Sequence, residues 1–231
     1  MRVIIEYTKE ERVKFISHLD LMRTMQRAVR RAGIPIAYSQ GFNPHPVMAF
    51  ASALPVGVTS EREYMDIILA EPVSLPVLNE RLNHALPRGI AIRDSVVTDD
   101  KTPSLMSLIE RADYRVAGAE WDWEKAVTAY LNEPEIIVEK KGKRGAVSVN
   151  LKESIHAVMA DEDDPKVLHI SMKTGSKGSL KPEIAVKSML ELSEQHFPGD
   201  ESFGLPAAVH RTGLYILKDG EWVTPLALKK D

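Results

Sequence analysis

Between residues 17 and 35 the chain spells out a helix with both ends marked, and the apolar segments flanking it leave few ways to bury it. Ser17 stands three residues ahead of Asp20, the spacing at which a hydroxyl caps a free backbone N–H and starts a helix. Met22, Met25, Val29 and Ala32 recur at helical spacing, and Leu21 and Ala28 widen the stripe. Gly33 and Pro35 end it. RVIIEY (2–7) and VMAFASAL (47–54) read as strands on either side. RVKFI (12–16) reads as a further short strand, with Val13 and Phe15 turned to the core. A helix with one apolar stripe set between strands must lay that stripe on a sheet.

The pattern then extends. REYMDIIL (62–69) predicts a strand, LPVLNERLNHA (75–85) a helix closed by Pro87 and Gly89, and IAIRDSVV (90–97) another strand. The polar TDDKTPS (98–104) marks a boundary, followed by a bridging helix over LMSLIERA (105–112). The same order returns with a strand at ADYRVAGA (112–119) and a helix at WDWEKAVTAYLN (121–132). EIIVEKK (135–141) and GAVSVNL (145–151) form a hairpin, 152–164 a connection, and KVLHISMK (166–173) a strand. A helix opens at Pro182, and AVHRTGLYIL (208–217) and EWVTPLAL (221–228) close the chain as strands. Two βαββαβ units predict an α+β protein of tandem ferredoxin-like domains with antiparallel sheets, divided as 1–100 and 101–231. A single α+β domain with one long mixed sheet is the alternative.

Composition narrows the chemistry. The 231 residues include no cysteine, which removes disulfides, thiolate nucleophiles, thiolate zinc sites and a resident iron–sulfur cluster. The motifs H-E-x-x-H, G-x-S-x-G and G-x-G-x-x-G are missing, and His84, His156, His169, His196 and His210 are scattered. No metal and no cofactor are expected. The start MRVIIEYTKEE is not a signal peptide and no apolar run spans a bilayer, so the expected location is the cytoplasm, away from membranes. The net charge of −3 is segregated: residues 1–60 sum to +4, 61–110 to −4 and 165–190 to +4. An acidic total argues against a dedicated nucleic-acid binder, while the basic blocks allow one basic face.

Two stretches carry candidate chemistry. On the capped helix, Arg23, Arg27, Arg30 and Arg31 share a face, and guanidinium forks match phosphate oxygens. The bland alternative is a solvated face with cations near a helix C-terminus. The following loop, SQGFNPHP, sets Tyr38, Phe42, Asn43 and His45 beside those arginines, the pairing of rings and cations that single-stranded RNA recognition uses. Its bland alternative is a proline-stiffened turn with Phe42 plugging the core. His18, with Asp20 to orient it, is the candidate general base, against a packing role in the first turn. The second stretch is KTGSKGSLKPE (173–183), where Lys173, Gly175, Ser176, Lys177, Gly178, Ser179 and Lys181 run into a helix N-terminus able to hold an anion. The basic turn Lys140, Lys141, Lys143 and Arg144 reads as a charged, soluble edge.

Over KFISHLDLMRTMQRAVRRAGIPIAYSQGFNPHPVMAFASALPVGVTSEREYMDIIL (14–69) the sequence resembles an uncharacterised bacterial radical-SAM-associated domain family, found alone or behind a cobalamin-binding radical SAM protein. The resemblance implies partnership with a radical SAM system acting on RNA or ribosome-related substrates, and it brings no established activity. A more distant likeness is to the ferredoxin-like endonucleases that process CRISPR repeats, although SHLDLMR and GFNPHP are not their pattern. Three readings follow: an accessory RNA-binding protein, a metal-independent RNA endonuclease or modification enzyme using His18, and a docking subunit of a radical SAM enzyme. The oligomeric state is not legible.

Overall fold

The computed structural model describes residues 1–118, 120–142, 145–175, 178–197 and 207–230, with 140–142 described by backbone alone. The chain forms two compact units, Met1–Glu110 with Gly213–Asp231, and Arg111–Thr212. The sequence expectation cut the chain into consecutive pieces at 100; here the last segment belongs with the first unit.

The first unit runs β1 (Arg2–Lys9), α1 (His18–Arg31), β2 (Met48–Phe50), β3 (Thr59–Ile68), α2 (Leu75–Ala85) and β4 (Ile92–Thr98). The strands lie in the order β4-β1-β3-β2, every neighbouring pair antiparallel, which is the ferredoxin-like arrangement. Residues of alternate parity on β1 and β3 bury different faces. Val3, Ile5, Met65 and Ile67 pack against Met25 and Val29 of α1 and Leu78 and Leu82 of α2. The opposite face is also covered. Arg2 and Asp66 form a buried ion pair, Nε to Oδ2 at 2.6 Å, and Arg2 donates onward to the carbonyls of Thr102 and Pro103. Tyr64 donates its hydroxyl to Glu6, and both burial and that carboxylate push its pKa up. Thr98 Oγ1 donates to Leu228 O at 2.7 Å.

After α3 (Leu105–Leu108), the second unit takes most of β5 (Ile109–Ala117), then α4 (Trp123–Asn132), β6 (Ile137–Gly142), β7 (Gly145–Asn150), α5 (Leu151–Ser154), β8 (Ile155–Ala160), β9 (Val167–Lys173), α6 (Pro182–Leu192) and the start of β10 (Ala208–Lys218). Its order is β10-β5-β9-β8, again ferredoxin-like, while β6 and β7 form a separate pair, with no other strand partner among the described residues. The tandem ferredoxin-like expectation therefore holds.

Several element assignments change. Residues 12–16 are not a strand: Val13 N bonds Glu10 O and Ile16 N bonds Val13 O, two successive turns. The buried Lys9 ammonium ties them down through Lys14 O at 2.9 Å, and Phe15 is left 73% exposed. The bridging helix stops at Leu108, where β5 begins. The connection 152–164 contains β8, the second strand of the fold, and the predicted hairpin is an insertion ahead of it. Ile137 and Val147 of that hairpin are exposed, so their apolar character marks no core. The last stretch is β11 (Glu221–Val223) followed by a 3₁₀ turn at Pro225–Leu228 rather than one strand.

Candidate nucleic-acid interface

Helix α1 is closed at both ends by its own sequence. Ser17 Oγ accepts from Asp20 N at 3.1 Å and donates to Asp20 Oδ2 at 2.7 Å. At the other end Gly33 takes φ +61° while Gly33 N bonds Arg30 O and Ile34 N bonds Val29 O. That pair of bonds is a Schellman closure, which needs a left-handed residue and so favours glycine. Leu21, Met25, Ala28 and Val29 are buried, which fixes the arginine side outward.

At 100° per residue, Arg23, Arg27 and Arg30 fall within about 60° of the helix circumference. All three are exposed. Arg23 lies 3.4 Å from Asp20, an exposed pair of small worth, and Arg27 donates to Thr24 Oγ1 at 3.3 Å. Arg30 has no ion-pair partner among the described residues. Arg31 is different, because it donates to Ala85 O at the end of α2. The two carboxylate oxygens of Asp20 face Ser17 and Arg23, and the half-buried His18 ring stands edge-on to Phe50 at 5.3 Å. His18 and Asp20 are thus neighbours in sequence with separate partners in space.

The loop after α1 is a braced projection. Tyr38 bridges Pro46, Ser39 N bonds His45 O at 2.9 Å, and His45 N bonds Ser39 Oγ at 3.1 Å. Ser39 Oγ also meets His45 Nδ1 at 2.9 Å, so the imidazole is held by the loop itself. Val47 N bonds Ala37 O and Ala37 N bonds Ile68 O, anchoring the base on the end of β3. Beyond this ladder the tip stands in water: Gly41, Phe42, Asn43 and His45 are exposed, and Phe42 is fully so at 112% of its reference area. Phe42 does not plug the core. Tyr38 is 44% exposed at the loop's base.

The 173–181 stretch is mixed in exposure, and the helix it leads into carries a carboxyl group of its own in the first turn. Lys173 ends β9, Thr174 is buried, Gly175 and Gly178 have positive φ, and Ser179 is exposed. Ser176 and Lys177 lie outside the described residues, as do Lys143 and Arg144. Lys181 is the N-cap of α6 without a side-chain cap, and Glu183 in the first turn is buried with Oε2 unpartnered among the described residues. The chain's own carboxyl group therefore occupies the favourable end of the helix dipole.

Sequence reasoning missed Phe15, which stands exposed just before α1 with Lys14 Nζ 5.0 Å from its ring centre. Leu19 in the first turn is exposed as well. The signal was present in FISHLD, but the alternation Val13–Phe15 imitates a strand.

Topology and core define an α+β protein built from two ferredoxin-like units. The chain belongs to the bacterial family described as "Uncharacterized protein conserved in bacteria (DUF2344)", which matches residues 2–182. No curated protein matches the sequence. Among solved structures it is similar to the first two RRM domains of the yeast poly(U)-binding protein Pub1, at 9% identity and a TM-score of 0.20, covering 90% of this chain and 98% of that one. A likeness at that score carries no weight for ligand or mechanism. Among the described residues, no helix is long and apolar enough to cross a membrane, and no group of three or more His, Asp or Glu is placed to hold a metal ion.

Proposed function

We propose that this protein is an accessory RNA-binding protein whose interface is the outer side of α1 with the loop that follows it. The observation that carries the reading is Phe42, a large ring held wholly in water at the tip of a hydrogen-bonded loop. An exposed aromatic has no packing reason to be there, and a rigid base presents it ready to stack. Arg23, Arg27 and Arg30 supply a row of cations spaced about 6 Å and about 4.5 Å along the helix axis, suited to successive phosphates. Phe15 before the helix and Tyr38 after it in the chain are further exposed rings. The sheet face of the first unit is covered, which favours the helix side for a ligand of this unit. The resemblance over 14–69 supports placing the binding beside a radical SAM system that modifies RNA or ribosome-related substrates. Any cluster would then sit in the partner, since this chain has no cysteine.

A salt titration of single-stranded RNA binding tests the reading. The log–log slope should be negative, and Arg27→Ser with Arg30→Ser should lower its magnitude by about 0.7 for each phosphate no longer neutralised. A flat salt response, or no binding at low salt, sinks it. Nuclease-insensitive co-purification with a radical SAM protein would instead favour a protein-docking role for the same face.

A further inference from the structure

One face of the second unit's sheet carries its charges in cross-strand rows. Arg115 lies opposite His169, Asp113 opposite Ser171, and Arg111 opposite Lys173. Side chains directly opposite on antiparallel strands share a face, so these groups are neighbours. The first row is neutralised from the turn between β8 and β9, with Arg115 3.8 Å from Asp164 and His169 Nε2 2.7 Å from Asp161 Oδ2. Asp113 grips the Arg111 guanidinium with two bonds of 2.9 Å.

In the last row Arg111 is matched by Asp113 but Lys173 is not matched by a turn carboxylate. Lys173 is exposed, has no carboxylate partner among the described residues, and faces another cation across the strand pair. Like charges opposed in an antiparallel pair oppose folding. His156 joins them from the irregularity where β8 shifts register against β9 between Ile155 and Ala157. Desolvation first, then Arg111 and Lys173, lower its pKa, with Asp113 acting the other way. Beside this row, Ser171 is only 6% exposed and its Oγ has no hydrogen-bond partner among the described residues. A buried hydroxyl without a partner and a lysine placed opposite an arginine are both unfavourable in the empty fold, and a bound oxyanion relieves both.

We propose that Arg111, Lys173 and His156, with Ser171 beside them, form a phosphate-binding site. Asp113 is its positioning residue, fixing the guanidinium plane. The ligand group is a phosphate, carried either by RNA or by a small phosphorylated molecule. Although Lys173 also belongs to the 173–181 loop, the site rests on cross-strand register and stands independently of the α1 face.

The test follows the His156 ring by NMR in the full chain, identified by its loss in His156→Gln, through a pH titration. Without ligand, Lys173→Ala should raise the His156 midpoint by removing a nearby cation; an unmoved midpoint overturns the placement. Saturating inorganic phosphate or a short single-stranded RNA should raise the wild-type midpoint by about half a pH unit or more, equivalent to roughly threefold tighter binding to the imidazolium. Lys173→Ala should abolish that rise. Response to inorganic phosphate assigns a site sufficient for free phosphate, whereas response to RNA alone assigns a backbone site. No movement with either probe, or a rise that survives Lys173→Ala unchanged, overturns the proposal. The inorganic phosphate arm does not involve α1, so failure here and failure of the α1 interface are separate results.

Discussion

Phe42 and Arg2 sit at opposite extremes of burial, and substitutions at them should separate binding from folding. Removing a fully exposed ring removes no packing, so Phe42→Ala should leave the urea midpoint unchanged while weakening RNA binding by about 1–3 kcal/mol if one base stacks there. Parallel denaturation and filter-binding curves check this, and equal affinity for the two proteins would dissociate the loop from recognition. Arg2 is the reverse case. Its guanidinium satisfies Asp66 and two carbonyls in a buried setting. Arg2→Ala leaves the Asp66 carboxylate without its cation, and the expected loss is about 3–5 kcal/mol in urea unfolding, with no specific effect on ligand affinity. Neither role could be read from the sequence in full. The GFNPHP loop advertised Phe42 but left its direction open, because a glycine- and proline-rich turn serves equally to bury or to display a ring. Arg2 looked like an ordinary first residue of a strand, and its partners lie 64 and about 100 positions away.

Helix α1 was legible to within a residue because every device that bounds it is local: the Ser17 cap, the apolar stripe, and Gly33. Strand β8 was not, since IHAVMA is short, shows little alternation of burial, and becomes a strand only by pairing with β9. The pair brings a pH dependence with it. His156 has a folded pKa below its ordinary value, so the unfolded chain binds more protons as pH falls. Stability from this group is present above the unfolded pKa and is lost as pH drops through the folded one. Asp161, held down by the His169 hydrogen bond and then by two backbone N–H groups, follows the same sign but only below the ordinary carboxylate range. Thermal melts at about pH 7 and about pH 5.5 therefore keep clear of Asp161, and comparison with a His156 variant singles out this histidine. His156→Gln should lose less stability between those two values than the wild-type protein, and an identical drop in both would remove His156 as the source.

Element order pointed to two ferredoxin-like units, although in the second the β6–β7 hairpin stood in for β8, which pairs with β9. What order alone could not reveal is that the first unit is discontinuous. Gly213–Asp231 returns to it, dividing β10 between the units at Thr212 and Gly213. The attachment is specific: Thr98 Oγ1 donates to Leu228 O, Lys230 N bonds Val97 O at 2.8 Å, and Thr224 reaches the Tyr64 hydroxyl. These bonds cover the sheet face on which Arg2, Asp66 and Tyr64 are buried, so the closing segment keeps water from polar groups that need their partners. Ending the chain after Lys218 removes β11 and the 3₁₀ turn. Counting the two hydrogen bonds to Val97 and Thr98 alone, the first unit should lose about 2 kcal/mol. Hydrogen exchange locates the effect: Val97 and Thr98 amides should exchange faster in the shortened chain, while Tyr114 and Ile170 in the second unit keep their protection. Equal loss in both units would mean that they unfold as one cooperative body, and unchanged exchange at Val97 would mean that the closing segment contributes nothing to the first unit's stability.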